Sequence, residues 1–335
     1  MIRAPLAAAA LLAAGAVSAA AQRPLVIAHR GASGHLPEHT LEAYRLAIAQ
    51  GADYIEPDLV STRDGVLVAR HENEIGGTTD VAAKFPGRRT TRVIDGREVT
   101  GWFTEDFTLA ELRTLRARER LPFRSHAHDG QYLIPTLDEV IALAQAESAA
   151  RGRVIGIYPE TKHPSHFRAL GLALEEPLLA ALARAGWTGR DAPVFIQSFE
   201  VGNLRALRAR TGVRLVQLLE AEGQPWDVAA GGGTLTYAAM ATAEGLREIA
   251  TYADGVGPSK RLLVPETGGA TRFVADAHAA GLAVHPWTFR SEPVFLLPKY
   301  AGDPHAEYRE FLRLGVDGLF TDFPDVAVAA LAASR

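Results

Sequence analysis

Two histidines, an arginine and two carboxylates stand close together near the start of the chain. His29 and Arg30 end an apolar run, Glu56 and Asp58 lie two residues apart in the next, and His71 ends a third. Carboxylate oxygens are the ligands that Ca²⁺ and Mg²⁺ prefer. A guanidinium pairs well with phosphate, and two histidines can divide proton removal and proton donation between them. These residue types indicate metal-assisted phosphate chemistry.

The spacing of the carboxylates predicts a metal site. Residues two apart on a strand point to the same side, so Glu56 and Asp58 project together while Pro57 points away. Two carboxylates on one face repel each other unless a cation lies between them, and a hard divalent ion meets that need. Glu160 and Lys162 repeat the spacing after a later strand. They offer a third carboxylate and a point charge for a phosphate oxygen.

Arg30 and the two histidines extend this interpretation. An arginine cannot be neutralised by losing its proton, so its burial at a strand end requires an anionic partner. That partner is Glu38, a carboxylate of the metal site, or a substrate phosphate. Cleavage of a phosphodiester needs one group that takes a proton and one that protonates the leaving alkoxide. His29 and His71 can fill these two roles in either order.

Later strand ends carry further candidates on the same expected face. These are Gln197, Phe199, Trp287, Thr288 and Asp322. Asp322 precedes a helical stretch and is predicted to cap the final helix. His285 precedes a proline on a strand and is interpreted as structural.

Strand-like and helix-like segments alternate along the chain and position these residues. Strands are predicted over 24–29, 54–59, 66–69, 154–158, 194–197, 215–219, 282–287 and 318–321. Helices are predicted over 40–50, 137–146, 167–185, 204–210, 243–252, 271–280 and 308–314. This alternation predicts an α/β fold with a parallel sheet, and the number of units favours a closed (β/α)8 TIM barrel. The sequence has no glycine-rich dinucleotide turn that would favour an open sheet.

The segment 73–131 interrupts the alternation and is long for a barrel loop. We expect it to be an insertion over the active face, with one helical piece around 109–118. Trp102, Phe103 and Phe107 are expected to pack a small subdomain rather than to contact substrate. His126 and His128 have no carboxylate at ligand spacing, which favours a solvated loop over a metal site.

Composition and the chain ends set the broad class. Residues 1–21 are typical of a secretory signal cleaved after Ala21, and the apolar run over 4–17 is too short for a membrane span. We therefore expect a periplasmic or secreted protein with one large domain over 22–335 and no stable membrane insertion after cleavage. The chain has no cysteine, so disulfides do not support the fold. A net charge of -4 with scattered cations argues against nucleic-acid binding, and the oligomeric state stays open.

Three motifs resemble those of the glycerophosphodiester phosphodiesterases. They are HRGASGHLPEHT over His29–Thr40, EPDLVSTRDGVLVARHE over Glu56–Glu72, and PETK over Pro159–Lys162. The likeness extends over the mature chain in its strand order, and the insertion resembles the exported bacterial branch. The resemblance implies a (β/α)8 barrel that hydrolyses deacylated phospholipids such as glycerophosphocholine and glycerophosphoethanolamine. The products would be sn-glycerol 3-phosphate and an alcohol.

The resemblance also implies a role for each matching residue. It makes His29 and His71 the acid and base, Glu56, Asp58 and Glu160 the metal ligands, and Arg30 and Lys162 the phosphate-binding cations. Glu38 would support these groups or contact the substrate, and Trp287 would be a wall of the glycerol pocket or a packing residue. Ca²⁺ is the expected cofactor, with Mg²⁺ as the alternative. Attack by water and attack by the substrate's 2-hydroxyl through a cyclic phosphate both remain open.

Three other classes of protein compete with this interpretation. A barrel of the phospholipase D or sphingomyelinase D type would act on intact lipid, but such enzymes usually rely on disulfides and lack the insertion. A surface binding protein with an idle barrel would lack one of the site residues, and none is missing. An amidohydrolase barrel would carry a His-x-His pair where this chain has His29-Arg30-Gly31.

Overall fold

The computed structural model describes residues 23–334, so the predicted signal segment 1–21 lies outside the described residues. The strands are β1 (Leu25–His29), β2 (Tyr54–Glu56), β3 (Asp58–Ser61), β4 (Leu67–Ala69), β5 (Thr90–Ile94), β6 (Arg97–Gly101), β7 (Gly156–Ile157), β8 (Glu160–Thr161), β9 (Phe195–Ser198), β10 (Arg214–Leu219), β11 (Gly255–Pro258), β12 (Ala283–Val284) and β13 (Gly318–Thr321). The helices are α1 (Leu41–Ala49), α2 (Val81–Lys84), α3 (Leu109–Leu112), α4 (Leu137–Arg151), α5 (Pro164–Ala169), α6 (Glu175–Arg184), α7 (Val201–Arg208), α8 (Trp226–Ala230), α9 (Tyr237–Met240), α10 (Ala243–Ile249), α11 (Lys260–Leu263), α12 (Phe273–Ala279), α13 (Pro304–Arg313) and α14 (Pro324–Ala333). Short 3-10 helices cover Pro86–Arg88, Thr104–Asp106, Pro293–Phe295 and Pro298–Tyr300.

The parallel strands close into a barrel, which confirms the predicted fold class. One run of pairing joins β13, β1, β2 and β7, and a second joins β8, β9, β10, β11 and β12, with β3 on the other side of β8. The ring is completed beyond β12, where the amide of Phe289 donates to the carbonyl of Phe320 at 2.8 Å. The amide of Phe320 in turn donates to the carbonyl of Pro286 at 3.1 Å. The carboxyl ends of all these strands therefore meet on one face.

The barrel interior is filled by large side chains that contain few polar atoms. Ile27, Tyr158, Phe195, Val216 and Phe320 form a buried cluster. The hydroxyl of Tyr158 bonds to Nδ1 of His285 at 2.8 Å, and His285 is buried. This contact confirms the structural interpretation of His285. A second, larger apolar layer lies between the strands and the surrounding helices.

Several element bounds differ from the predicted ones. The strand predicted over 54–59 is interrupted at Pro57, which cannot donate to a ladder, so β2 and β3 pair with different neighbours. The helix predicted over 167–185 is two helices, α5 and α6. Strand β11 was not predicted, because its sequence GVGP consists mostly of residues that are depleted in strands.

The segment 73–131 contains an antiparallel hairpin of β5 and β6 that the sequence analysis did not predict. Its turn places Asp95 at φ 47° and Gly96 at φ 75°, the left-handed conformations that a two-residue hairpin turn requires. Phe103 and Phe107 are fully buried, which confirms that they pack rather than contact substrate. The helical piece is shorter than predicted, because α3 ends at Leu112.

His126 is exposed and lies 2.9 Å from Asp129, as expected for a solvated loop.

Among residues 23–334, no helix is both long enough and apolar enough to cross a membrane.

Candidate active site

Three carboxylates converge where β2 ends and where β3 and β8 begin. Glu56, Asp58 and Glu160 each offer an oxygen, and these atoms lie within 4.8 Å of one another. All three side chains are buried. Asp58 and Glu160 are direct partners in the β3–β8 pairing, while Glu56 is opposite His29 in the β1–β2 pairing. The predicted convergence of the carboxylates is therefore present, although they lie on three short strands rather than on one continuous strand face.

The donor set of this triad fits a hard divalent cation. Burial, together with repulsion from Asp58 and Glu160, raises the pKa of Glu56 well above its usual value. Burial likewise raises the pKa of Glu160 to about 8. The Oδ1 atom of Asp58 is buried and has no hydrogen-bond partner among the described residues. Clustered carboxylates with an unsatisfied oxygen need positive charge, and a bound cation supplies it.

Arg30 is fixed beside the triad by its own backbone conformation. Its φ of 61° lies in the left-handed region, and this turn points its amide to Glu56 Oε2 at 2.8 Å. Its guanidinium donates to Glu38 Oε2 at 3.0 Å, and its Nε lies 3.4 Å from Asp58 Oδ2. Burial alone would lower the pKa of Arg30, but Glu38, Asp58 and Glu56 together raise it above its usual value. The anionic partners that the sequence left open are thus Glu38 and the metal-site carboxylates.

His39 is a buried part of the site that the sequence analysis missed. Its Nε2 lies 2.9 Å from Asp58 Oδ2, and its Nδ1 lies 2.8 Å from the hydroxyl of Tyr44. Arg70 donates to the carbonyls of Glu38 and His39 at 3.2 and 3.0 Å, which holds this segment in place. The position of His39 next to Glu38, in the first motif, was the available signal.

His29 is held by Asp322, which corrects the predicted role of that aspartate. Nδ1 of His29 lies 2.6 Å from Asp322 Oδ1, whereas the N-terminal cap of α14 is Phe323, whose side chain makes no capping hydrogen bond. The carboxylate of Asp322 also accepts from Arg124 at 2.6 Å and from Arg290 at 2.9 Å. A carboxylate on Nδ1 keeps the proton there and leaves Nε2 free to accept another.

The charge state of this pair follows from its surroundings. Burial and the neighbouring Arg30 lower the pKa of His29 to about 4, so the ring is neutral near pH 7. Burial opposes ionisation of Asp322, but Arg290, His29 and Arg124 hold its pKa well below the usual range. A neutral histidine oriented by an ionised carboxylate is suited to take a proton.

His71 lies in the same cavity and is anchored through a different chain of contacts. Its Nδ1 lies 2.9 Å from Glu72 Oε1, and Glu72 Oε2 lies 2.9 Å from His163 Nε2. Nδ1 of His163 is 2.7 Å from Asp95, at the tip of the β5–β6 hairpin. Burial lowers the pKa of His71, as do the charges of Arg30 and Lys162. Burial opposes protonation of His163 as well, but its bonds to Asp95 and Glu72 raise its pKa to about 9.

Lys162 supplies a second buried cation. Its Nζ lies 3.0 Å from Glu160 Oε1 and 5.8 Å from the centre of the Phe199 ring. Burial would lower the pKa of Lys162, but Glu160, Asp58 and Glu72 raise it above the usual value. The side chain therefore stays charged, as contact with a phosphate oxygen requires.

A cavity of about 400 Å³ brings most of the predicted residues together. Its lining includes His29, Arg30, Glu56, His71, Glu160, Lys162, Gln197, Phe199 and Trp287. Asp58 and Glu38 are not part of the lining and lie behind Arg30. Gln197 donates to Glu56 Oε1 at 3.0 Å, so it orients a carboxylate of the triad. The Trp287 indole donates to the carbonyl of Gly257 at 2.7 Å, which fixes this wall.

Comparisons with known proteins agree with the barrel fold and identify the family. Residues 29–326 match the model of the glycerophosphoryl diester phosphodiesterase family. Glycerophosphodiester phosphodiesterase GDPD6 of Arabidopsis thaliana is 39% identical over 320 residues, covering 90% of this chain and 84% of that protein. The glycerophosphodiester phosphodiesterase of Haemophilus influenzae is 34% identical over 335 residues, covering 92% of this chain and 89% of that protein.

A solved structure shows the same fold at low sequence identity. The phosphodiesterase of Oleispira antarctica, solved in complex with the product sn-glycerol-3-phosphate, superposes with a TM-score of 0.63 at 21% identity. The match covers 92% of this chain and 97% of that structure. Barrel, site and relatives together define a hydrolase of phosphoric diesters. The chain belongs to the glycerophosphoryl diester phosphodiesterase family.

Proposed function

We propose that this protein hydrolyses glycerophosphodiesters to sn-glycerol 3-phosphate and an alcohol, using a divalent metal ion and the pair His29 and His71. The observation that carries the proposal is one cavity in which both histidines, Arg30 and Lys162 surround a buried carboxylate triad. The names of the relatives and the product bound to the Oleispira antarctica enzyme support the same substrate class.

The metal site is assigned to Glu56, Asp58 and Glu160, with Ca²⁺ as the favoured ion and Mg²⁺ as the alternative. Three carboxylates supply the oxygen donors that both ions take, and the flexible coordination of Ca²⁺ suits ligands from three separate strands. When bound, such an ion would neutralise charge on the phosphate and polarise the bond under attack. Arg30 and Lys162 flank the triad and bind the remaining phosphate oxygens, so negative charge that develops during cleavage meets two fixed cations.

The two histidines divide the proton transfers. Each has a carboxylate on Nδ1, Asp322 for His29 and Glu72 for His71, so each presents Nε2 to the cavity. One removes a proton from the attacking hydroxyl, and the other protonates the oxygen of the departing alcohol. The attacking hydroxyl belongs either to water or to the glycerol 2-carbon. In the second case the alcohol leaves as a cyclic phosphate forms, and water must then open that ring to give sn-glycerol 3-phosphate.

The test is an assay of purified protein on glycerophosphocholine, glycerophosphoethanolamine and an intact phospholipid. We expect release of sn-glycerol 3-phosphate from the first two, loss of activity with chelator, and recovery on adding Ca²⁺ or Mg²⁺. Trapping a cyclic glycerophosphate would select attack by the 2-hydroxyl. Turnover of the intact lipid alone would favour the phospholipase D or sphingomyelinase D alternative. Full activity in chelator would remove the metal role of the triad.

A surface binding protein on an idle barrel is the remaining alternative. It predicts substrate binding without turnover in the same assay. The buried charged side chains in and behind this cavity argue against it, because burying that many unproductive charges is costly.

A further inference from the structure

A second cavity, of about 630 Å³, adjoins the first and has no role in the chemistry described above. The two cavities share part of their lining: Glu72, Glu160, Lys162, Phe199 and Glu220. The second cavity extends from there between the tip of the β5–β6 hairpin and helices α8 and α9. A group attached to a phosphate held by Arg30 and Lys162 can therefore reach it.

Three aromatic side chains, Phe199, Trp226 and Tyr237, line this second cavity. Trp226 starts α8, and its ring lies against the hairpin turn, where a Cβ on Gly96 would come within 2.7 Å of it. Tyr237 starts α9 and stands edge-on to Phe199 with ring centres 6.2 Å apart. Tyr237 is only 5% exposed. Burial and the nearby Glu220 raise the pKa of Tyr237, so the hydroxyl stays protonated.

The lining is rich in carboxyl groups for which no catalytic role accounts. Glu72 and Asp95 share His163, and Glu160 pairs with Lys162. Three further carboxylates also line the cavity, Glu200, Glu220 and Glu222, and in residues 23–334 none of them has a cation within 4.0 Å. Glu200 is buried and accepts only from the amide and hydroxyl of Ser165. Arg97, which is exposed, is the single lining cation outside an ion pair in the same part of the chain.

We propose that the second cavity receives the departing alcohol of the substrate and selects alcohols that carry an ammonium group. Aromatic faces attract ammonium and quaternary ammonium groups, and carboxylates without a cation add to that attraction. The same carboxylates repel an alcohol that carries an additional phosphate or carboxylate. Trp226, Tyr237 and Glu220 are the residues that would set this preference. The inference rests on the proposed function, because it places the leaving group of that reaction.

The experiment compares kcat/KM for glycerophosphocholine with that for glycerophosphoglycerol, whose alcohol has no charge. We expect the wild-type protein to prefer glycerophosphocholine by about tenfold, since the aromatic side chains and the carboxylates attract a quaternary ammonium group more than an uncharged alcohol. Trp226→Leu and Glu220→Gln should each lower this preference at least about threefold. Glu244→Gln makes the same charge change on the exposed surface of α10 and should keep the wild-type ratio.

Two results would overturn the inference while leaving the proposed function intact. One is equal kcat/KM for the two substrates in the wild-type protein. The other is a ratio that stays at the wild-type value in both cavity variants. If neither substrate is hydrolysed, the proposed function fails, and binding of choline chloride then tests the cavity directly by calorimetry. Weaker choline binding by Trp226→Leu supports the ammonium site, and the absence of choline binding by the wild-type protein rejects it.

Discussion

The two histidines of the site occupy contrasting surroundings. The side chain of His29 is 10% exposed, and its partner Asp322 also accepts hydrogen bonds from Arg124 and Arg290. The side chain of His71 is 31% exposed, and its partner Glu72 is in turn held by His163 and the hairpin residue Asp95. The insertion reaches both histidines, through Arg124 beside Asp322 and through Asp95 beside His163, but the groups that anchor His71 are the more exposed. We therefore expect His29 and His71 to differ in how much activity is lost when their partner carboxylates are replaced.

Removing either imidazole should have the largest effect. His29→Ala and His71→Ala should each lower kcat by about two to four orders of magnitude, the usual contribution of a general acid or base. Steady-state assays at saturating substrate, with circular dichroism spectra to check the fold, provide the measurement. A folded variant with near-normal kcat would show that its histidine is not part of the acid–base pair.

Isosteric changes of the two anchoring carboxylates should show which histidine depends more on its partner. Asp322→Asn should lower kcat about 10- to 100-fold, the range typical when the partner of a functional histidine is lost. Glu72→Gln should cost less than about tenfold, because water can partly replace a partner of the more exposed His71. Measuring kcat and KM for both variants checks that Asp322→Asn loses more kcat than Glu72→Gln. A larger loss in Glu72→Gln would reverse the proposed contrast.

The pH dependence of stability should reveal the contact between His163 and the hairpin. The pKa of His163 is raised from 6.5 to about 9, so its stabilising contribution is complete below about pH 6.5 and is lost as the pH rises through about 9. His163→Gln should therefore lower the free energy of unfolding by at most about 3 kcal/mol near pH 6, and by much less near pH 10. Urea unfolding at several pH values measures this difference. His278→Gln, which removes an exposed histidine, is the control. If His163→Gln lowers the free energy of unfolding equally at pH 6 and pH 10, the assignment is wrong.

Weakening the ion pair at the hairpin tip should have the smallest effect on kcat. Asp95→Asn weakens one partly exposed ion pair, worth about 1 kcal/mol at most, so kcat should fall less than about fivefold. Glu98→Gln, an exposed change on the same hairpin, should have no effect on kcat. Hydrogen exchange over 90–101 should be faster in Asp95→Asn than in the control. Equal exchange in the two variants would show that this ion pair does not hold the hairpin.

The sequence predicted the barrel and the central residues because their signals are local. Apolar runs such as PLVIAH define buried strands directly, and the motif around His29 and Arg30 is contiguous. The convergence of Glu56 with Asp58 was predicted from strand alternation, and the break at Pro57 did not prevent it. Glu160 joined them because the same spacing recurs after a later apolar run.

The missed features depend on contacts between distant segments. Asp322 precedes a helix, so a capping role was reasonable, but its neighbours Arg124 and Arg290 could not be inferred from spacing. The hairpin had a readable signal, the Asp95-Gly96 pair between β-rich runs, which favours a tight turn. Strand β11 had no such signal, because its glycines make room for neighbouring backbone and side chains rather than filling the core themselves.

The bond between His29 and Asp322 joins groups 293 positions apart in the chain, the first at the end of β1 and the second directly after β13. During synthesis, the amino-terminal half emerges with both histidines while the final strand has yet to be made. His29 then lacks the partner that sets its proton position until β13 docks beside β1, a late and non-local step of folding. Hydrolytic activity would thus require the closed barrel, and a chain truncated before β13 would be inactive.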